Sequence, residues 1–102
     1  MQNYTDRPTL AAFNEKCSII TGTYYGDGEV SKFIDLGVTP KAVFVLQLGR
    51  FLTDSSNHSL GGLAITGFGN VVTIKENGFE VQYFGNVYTN MKSNLYAYLA
   101  LY

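Results

Sequence analysis

From residue 17 to residue 102 the chain sets short apolar runs between Gly, Asn and Asp, with no sustained spacing of three and four. That punctuation predicts strands joined by turns rather than helices. Cys17 to Tyr25, the turn Gly26-Asp27-Gly28 and Val30 to Leu36 read as a hairpin whose glycines supply positive φ, ended by Gly37 and Pro40. Ala42 to Leu48 follows as a nearly unbroken apolar run, which predicts a strand covered on both faces. Gly49 to Gly61 is a polar loop, the longest expected, and Gly62 to Thr66 the next strand, closed by a turn at 67–70. Asn77-Gly78 is a strong hairpin signal. Around it Val72, Ile74, Phe79, Val81 and Tyr83 are expected to point inward, with Glu80 and Gln82 outward. Leu95 to Tyr102 is again apolar on both faces.

These segments predict an all-β fold, an antiparallel β-sandwich of about seven strands over residues 17–102, preceded by an N-terminal extension, residues 1–16. The core is expected from Ile20, Ile34, Leu36, Val43, Val45, Leu63, Ile65, Val72, Ile74, Phe79, Val81, Tyr96 and Tyr98. Two strands apolar on both sides need cover outside the sandwich as well. Residues 8–16 allow a turn or two of helix from Thr9, too little to cover two strands, so a subunit interface is expected there.

Composition narrows the function. The chain has 102 residues, enough for one domain, and only 15% are charged against a usual share of about 25%. A net charge of -1 without a basic run lacks the electrostatic footprint of nucleic-acid binding. With one Cys (Cys17) and one His (His58), neither an intrachain disulfide nor a one-chain zinc cluster can form, and no cofactor motif is present. No apolar run approaches the ~20 residues of a membrane helix, and Asp6, Arg7, Glu15 and Lys16 stand where a signal peptide needs apolar residues.

Gly22 to Gly28 lacks the Gly-Lys-Ser/Thr and the helix of a phosphate-binding loop and reads as a turn. The acid pairs Asp27 with Glu29 and Glu76 with Glu80 sit at predicted turns, where carboxylates are solvated rather than set across a sugar. Cys17 reads as a small, half-buried apolar residue. Asp54, His58 and Ser55, Ser56 or Ser59 supply the residue types of a catalytic triad, but they crowd one loop with nothing evident to hold them rigid, so an enzyme is not expected. Three copies of His58 on a symmetry axis are the weaker, metal-binding alternative. Most of the tyrosines suit a core or interface, and Tyr88, among Asn86, Thr89, Asn90 and Asn94, is the candidate for an exposed aromatic platform.

Thr21-Gly22-Thr23-Tyr24-Tyr25-Gly26-Asp27-Gly28, then Ile34-Asp35-Leu36-Gly37-Val38-Thr39-Pro40-Lys41-Ala42-Val43, resembles small β-sandwich domains in tail-fibre and receptor-binding proteins of bacteriophages and prophages. Gly61 to Gly67, Asn77 to Val81 and Tyr96 to Ala100 are similar to that family's recurring segments, so the resemblance spans about residues 19 to 102. More distantly it is similar to H-type lectin modules, which form trimers and bind sugars. The resemblance implies a non-enzymatic structural or receptor-binding component of a phage tail fibre. A homo-oligomer is expected, a trimer first and a dimer second, located in the virion or in the host cytoplasm during assembly. Implied partners are other tail proteins and a cell-surface polysaccharide. The alternative is a free-standing, lectin-like carbohydrate-binding protein. Sugar hydroxyls would meet Arg50, Asp54, Asn57 and His58, and the sugar's C–H face would meet Tyr88.

Overall fold

The computed structural model describes residues 18–69 and 71–102; Cys17, the 1–16 extension with its helix from Thr9, and Asn70 of the turn at 67–70 lie outside the described residues. Eight strands follow in order: β1 (Ile19–Tyr25), β2 (Ser31–Asp35), β3 (Ala42–Gln47), β4 (Gly61–Ile65), β5 (Val72–Lys75), β6 (Gly78–Phe84), β7 (Val87–Tyr88) and β8 (Leu95–Leu101). They form an all-β antiparallel sandwich. One sheet has the order β1-β8-β3-β4; the other has β2-β6-β5, with the two-residue β7 paired to β6. The short β7 is the strand that alternation could not signal.

The β5–β6 hairpin forms where Asn77-Gly78 places it, with Asn77 at φ 67 and Val72 opposite Val81, Ile74 opposite Phe79. Asn77 O also accepts the N–H groups of Leu36 and Gly37, which ties the end of β2 to the same turn. A second small hairpin returns β6 into β7, pairing Tyr83 with Tyr88 and Phe84 with Val87 around Gly85 and Asn86.

The expected β1–β2 hairpin does not form. β1 pairs β8, Ile19 opposite Leu101 and Tyr25 opposite Leu95, while β2 pairs β6 in the other sheet. The reason lies in residues 26–29, whose polar groups are met far along the chain. Gly28 N donates to Asn90 O, Asp27 N to Asn90 Oδ1, and Asn90 Nδ2 to Asp27 Oδ1 and Glu29 O. Asn90 is fully buried, so its amide fastens a crossover between sheets. Gly26 allows that approach, because a Cβ there would lie 2.0 Å from Met91 O.

Between the sheets, Tyr24, Val43, Val45, Ala64, Val72, Phe79, Val81, Tyr96 and Ala100 make the buried core, with Ile34, Leu36, Ile74 and Tyr98 packed against it. Two core expectations are overturned: Leu63 is 62% exposed and Ile65 46%. The inward positions of β4 are Gly62 and Ala64, opposite Val45 and Val43. Space explains the inversion, since a Cβ on Gly62 would already touch Val71 at 3.2 Å and the two layers close together where β4 turns into β5. Tyr83 also departs from expectation. It shares the parity of Phe79 and Val81 but lies beyond the second sheet's packed region and is 38% exposed.

Candidate functional site

Tyrosine hydroxyls from the core hold the segment that carries Tyr88. Tyr24 Oη donates to Thr89 O at 2.7 Å, Tyr96 Oη donates to Tyr88 O at 2.6 Å, and Tyr96 Oη accepts Met91 N–H at 3.0 Å. Burial pushes both phenols above their ordinary range, so they stay protonated as donors. Thr89 is fully buried, and its hydroxyl accepts Gln82 N–H at 2.8 Å while reaching Val71 O at 2.9 Å. The loop around Tyr88, expected from sequence to offer an exposed aromatic platform, thus contains two buried side chains, Thr89 and Asn90.

The loop after β3 is folded back on itself by its own hydrogen bonds. Thr53 and Ser59 form an antiparallel bridge, and Leu60 N donates to Leu52 O at 2.7 Å. Inside that ladder Asp54 ties the tip. Its Oδ1 accepts the N–H groups of Ser56 and His58 at 2.9 Å each, its backbone O accepts Asn57 N–H at 3.1 Å, and its Oδ2 lies 2.8 Å from His58 Nδ1. Asn57 takes φ 66, a left-handed conformation that Asn tolerates. The His58 N–H, ahead of the other donors, holds the Asp54 carboxyl below the usual carboxylate range.

The two loops expected to act together do meet. Ser59 N donates to Asn86 O and Tyr88 N to Ser59 O, 2.7 Å each, so the first loop joins β7 as a parallel neighbour. This sets the His58 ring on the Tyr88 ring, centroids 4.0 Å apart and 11° from parallel; Tyr83 tilts against Tyr88 at 4.9 Å. The expected open Tyr88 platform is corrected accordingly: His58 covers one of its faces, and what the stack presents outward is His58, 25% of whose side chain is accessible. Asp54, His58 and Tyr88 form one cluster, with Asn57 exposed at its tip. Arg50 stands apart in the first turn, its N–H donated to Gln47 O and its side chain exposed. Sequence reasoning missed Tyr83 as a member of the stack, and it missed Phe51 and Phe84, which are 85% and 70% exposed. For Phe51 the available signal was the pair Phe51-Leu52 in an otherwise polar loop.

Chemically the cluster is a carboxylate-oriented imidazole backed by an aromatic ring. No serine hydroxyl bonds the His58 ring among the described residues, so the nucleophile–base contact of a triad is not formed there. No three His, Cys, Asp or Glu side chains gather among the described residues either. Asp27 is engaged by Glu29 N–H and the Asn90 amide, which hold its carboxyl low and use it as a turn cap.

A second feature lies on the outer face of the β1-β8-β3-β4 sheet. Ile19, Thr21, Thr23 and Tyr25 on β1, Leu95, Ala97, Leu99 and Leu101 on β8, Ala42, Phe44 and Leu46 on β3, and Leu63 and Ile65 on β4 share that face by register, and none is charged. The outer face of the other sheet carries Asp35, Lys75 and Glu80. The chain matches no protein-family model, no curated protein and no solved structure.

Proposed function

We propose that the chain is a non-enzymatic structural or receptor-binding domain of the bacteriophage tail-fibre type, working as an assembly of identical chains with other tail proteins as neighbours. The observation that supports this is the uncharged outer face of the four-stranded sheet, with Ile19, Leu63, Ile65 and Phe44 exposed on it. Monomeric proteins rarely expose a contiguous apolar patch beyond a few hundred Å². The trimer implied by the resemblance, or a dimer, would cover it in the virion or during assembly in the host cytoplasm. Size exclusion with light scattering tests this: an oligomer at micromolar concentration, melting at higher temperature as concentration rises, is expected. A monomer whose melting ignores concentration would remove it.

A free-standing carbohydrate-binding protein is the second reading, favoured by the ordered Asp54–His58–Tyr88 cluster at the loop end of the sandwich. A bacterial surface glycan held there by a few hydrogen bonds would bind at roughly millimolar strength per site, raised by repetition on an oligomer. A glycan array comparing the protein with its Asp54→Ala, Asn57→Ala, His58→Ala variant decides it. Binding lost in the variant is expected; equal binding by both, or by neither, ends the case for this cluster.

A further inference from the structure

Resting on the assembly reading, we propose that the outer face of the β1-β8-β3-β4 sheet packs on the same face of a second copy about a two-fold axis lying in the interface along the strands. The face is not flat. A groove of about 460 Å³ runs over Ala97 on β8, walled by Thr21 and Thr23 on one side and by Phe44, Leu46 and Leu48 on the other. Beside it stands a ridge of Phe44, Leu63 and Ile65 on β3 and β4, all exposed. A two-fold axis between β8 and β3 carries the β3 row of each copy over the β8 row of the other at the same level, so Leu46 enters the groove over Ala97 and Phe44 meets Leu99, each twice by symmetry.

A second copy suits this surface better than the other occupants. The absence of charge on both partners leaves no ion to strand in the interface. Four strands about 4.8 Å apart, each about 20 Å long, give a plan area near 400 Å². Side-chain relief raises it toward the ~800 Å² per partner of a stable interface. Residues 1–17 offer Leu10 to Phe13 as their longest apolar run, between Arg7 and Glu15, against thirteen outward positions of the face. Of the two outer faces, it is the opposite one that is charged, where Asp35, Lys75 and Glu80 fit a solvated surface.

The test is light scattering of the full chain, of Thr23→Arg on the groove wall, of Leu63→Glu on the ridge, and of Ser31→Arg on the opposite sheet, each checked for an unchanged strand spectrum by circular dichroism. Twice the chain mass is expected for the protein and for Ser31→Arg. Dimer dissociation should rise at least ~10-fold in Thr23→Arg and in Leu63→Glu, whose wild-type side chains are exposed enough for the fold to survive. A trimer mass overturns the two-fold packing and leaves the assembly reading standing. A monomer, the outcome if residues 1–17 or an unrelated protein cover the face, overturns both. A dimer indifferent to both variants overturns this interface.

Discussion

Tyr24 and Tyr96 stack with ring centroids 5.0 Å apart and planes within 7°, and their hydroxyls end on two consecutive carbonyls, Thr89 O and Tyr88 O. Core and candidate site are therefore one piece: the rings that fill the sandwich also set the backbone from which Tyr88 projects. The stack is itself braced by Phe79, edge-on to Tyr24 at 6.4 Å and to Tyr98 at 5.2 Å.

Tyr96→Phe keeps the ring and deletes the hydroxyl, leaving Tyr88 O and Met91 N–H without their partner. Each unmet group costs about 1–3 kcal/mol when buried. A lower urea midpoint is expected, with faster amide exchange confined to residues 88–91.

Phe79→Ala empties the centre of the core, where Phe79 is fully buried, and should cost about 3–5 kcal/mol. Leu63→Ala should cost under about 1 kcal/mol in the dissociated chain, because that side chain is already in water. Denaturant unfolding at high dilution compares them. Equal losses would contradict the inverted facing of β4.

Gly26→Ala would drive a Cβ into Met91 O, a backbone atom that cannot swing aside. A loss of about 1–3 kcal/mol is expected. Asn90→Ala should match it by a different route, freeing Asp27 and Glu29 from the amide that joins the two sheets. Thermal melts of the two variants and their double check the shared clasp: losses well short of additive are expected.

Acid should lower the stability of the protein from about pH 4 downward. Asp27 and Asp54 are both held below the ordinary carboxylate value, Asp27 chiefly by Glu29 N–H and Asp54 chiefly by His58 N–H. Their contribution is complete above the unfolded value and lost as pH falls through the folded one. Asp27 is exposed and Asp54 partly so, so the loss is modest, and Asp54→Asn should flatten the acid limb of melting temperature against pH. Tyr24 and Tyr96 act at the other end. Their raised values favour the folded state below about pH 10, with stability lost as pH climbs from there, and Tyr24→Phe should weaken that alkaline limb.

Local chemistry was legible where a turn settles its own pairing. Asn77-Gly78 specifies β5–β6 because adjacent strands meet through two residues. Gly26-Asp27-Gly28 looks equally local, yet its hydrogen bonds go to Asn90, over sixty residues away, and nothing near the turn announces that. In β4, hydropathy favours Leu63 and Ile65 as the buried pair; the space beneath the strand admits only Gly62 and Ala64. For the site, Asp54 and His58 are four residues apart and readable as a pair. The Tyr88 ring beneath them depends on a Ser59–Val87 bridge between distant segments.

The position of β8 between β1 and β3 governs the order in which the molecule can be built. β1 leaves a ribosome well before β8, its partner, Ile19 meeting Leu101. The β2-β6-β5 sheet pairs without β8; the other does not, and until β8 arrives β1 waits as Ile-Ile-Thr-Gly-Thr-Tyr-Tyr, a stretch with no charge and no proline to discourage intermolecular pairing. The yield of folded sandwich will depend on how quickly β8 is delivered. A nonsense codon before Leu95 would leave β1 unpaired and β3 with β4 alone, giving insoluble product instead of a shortened sandwich.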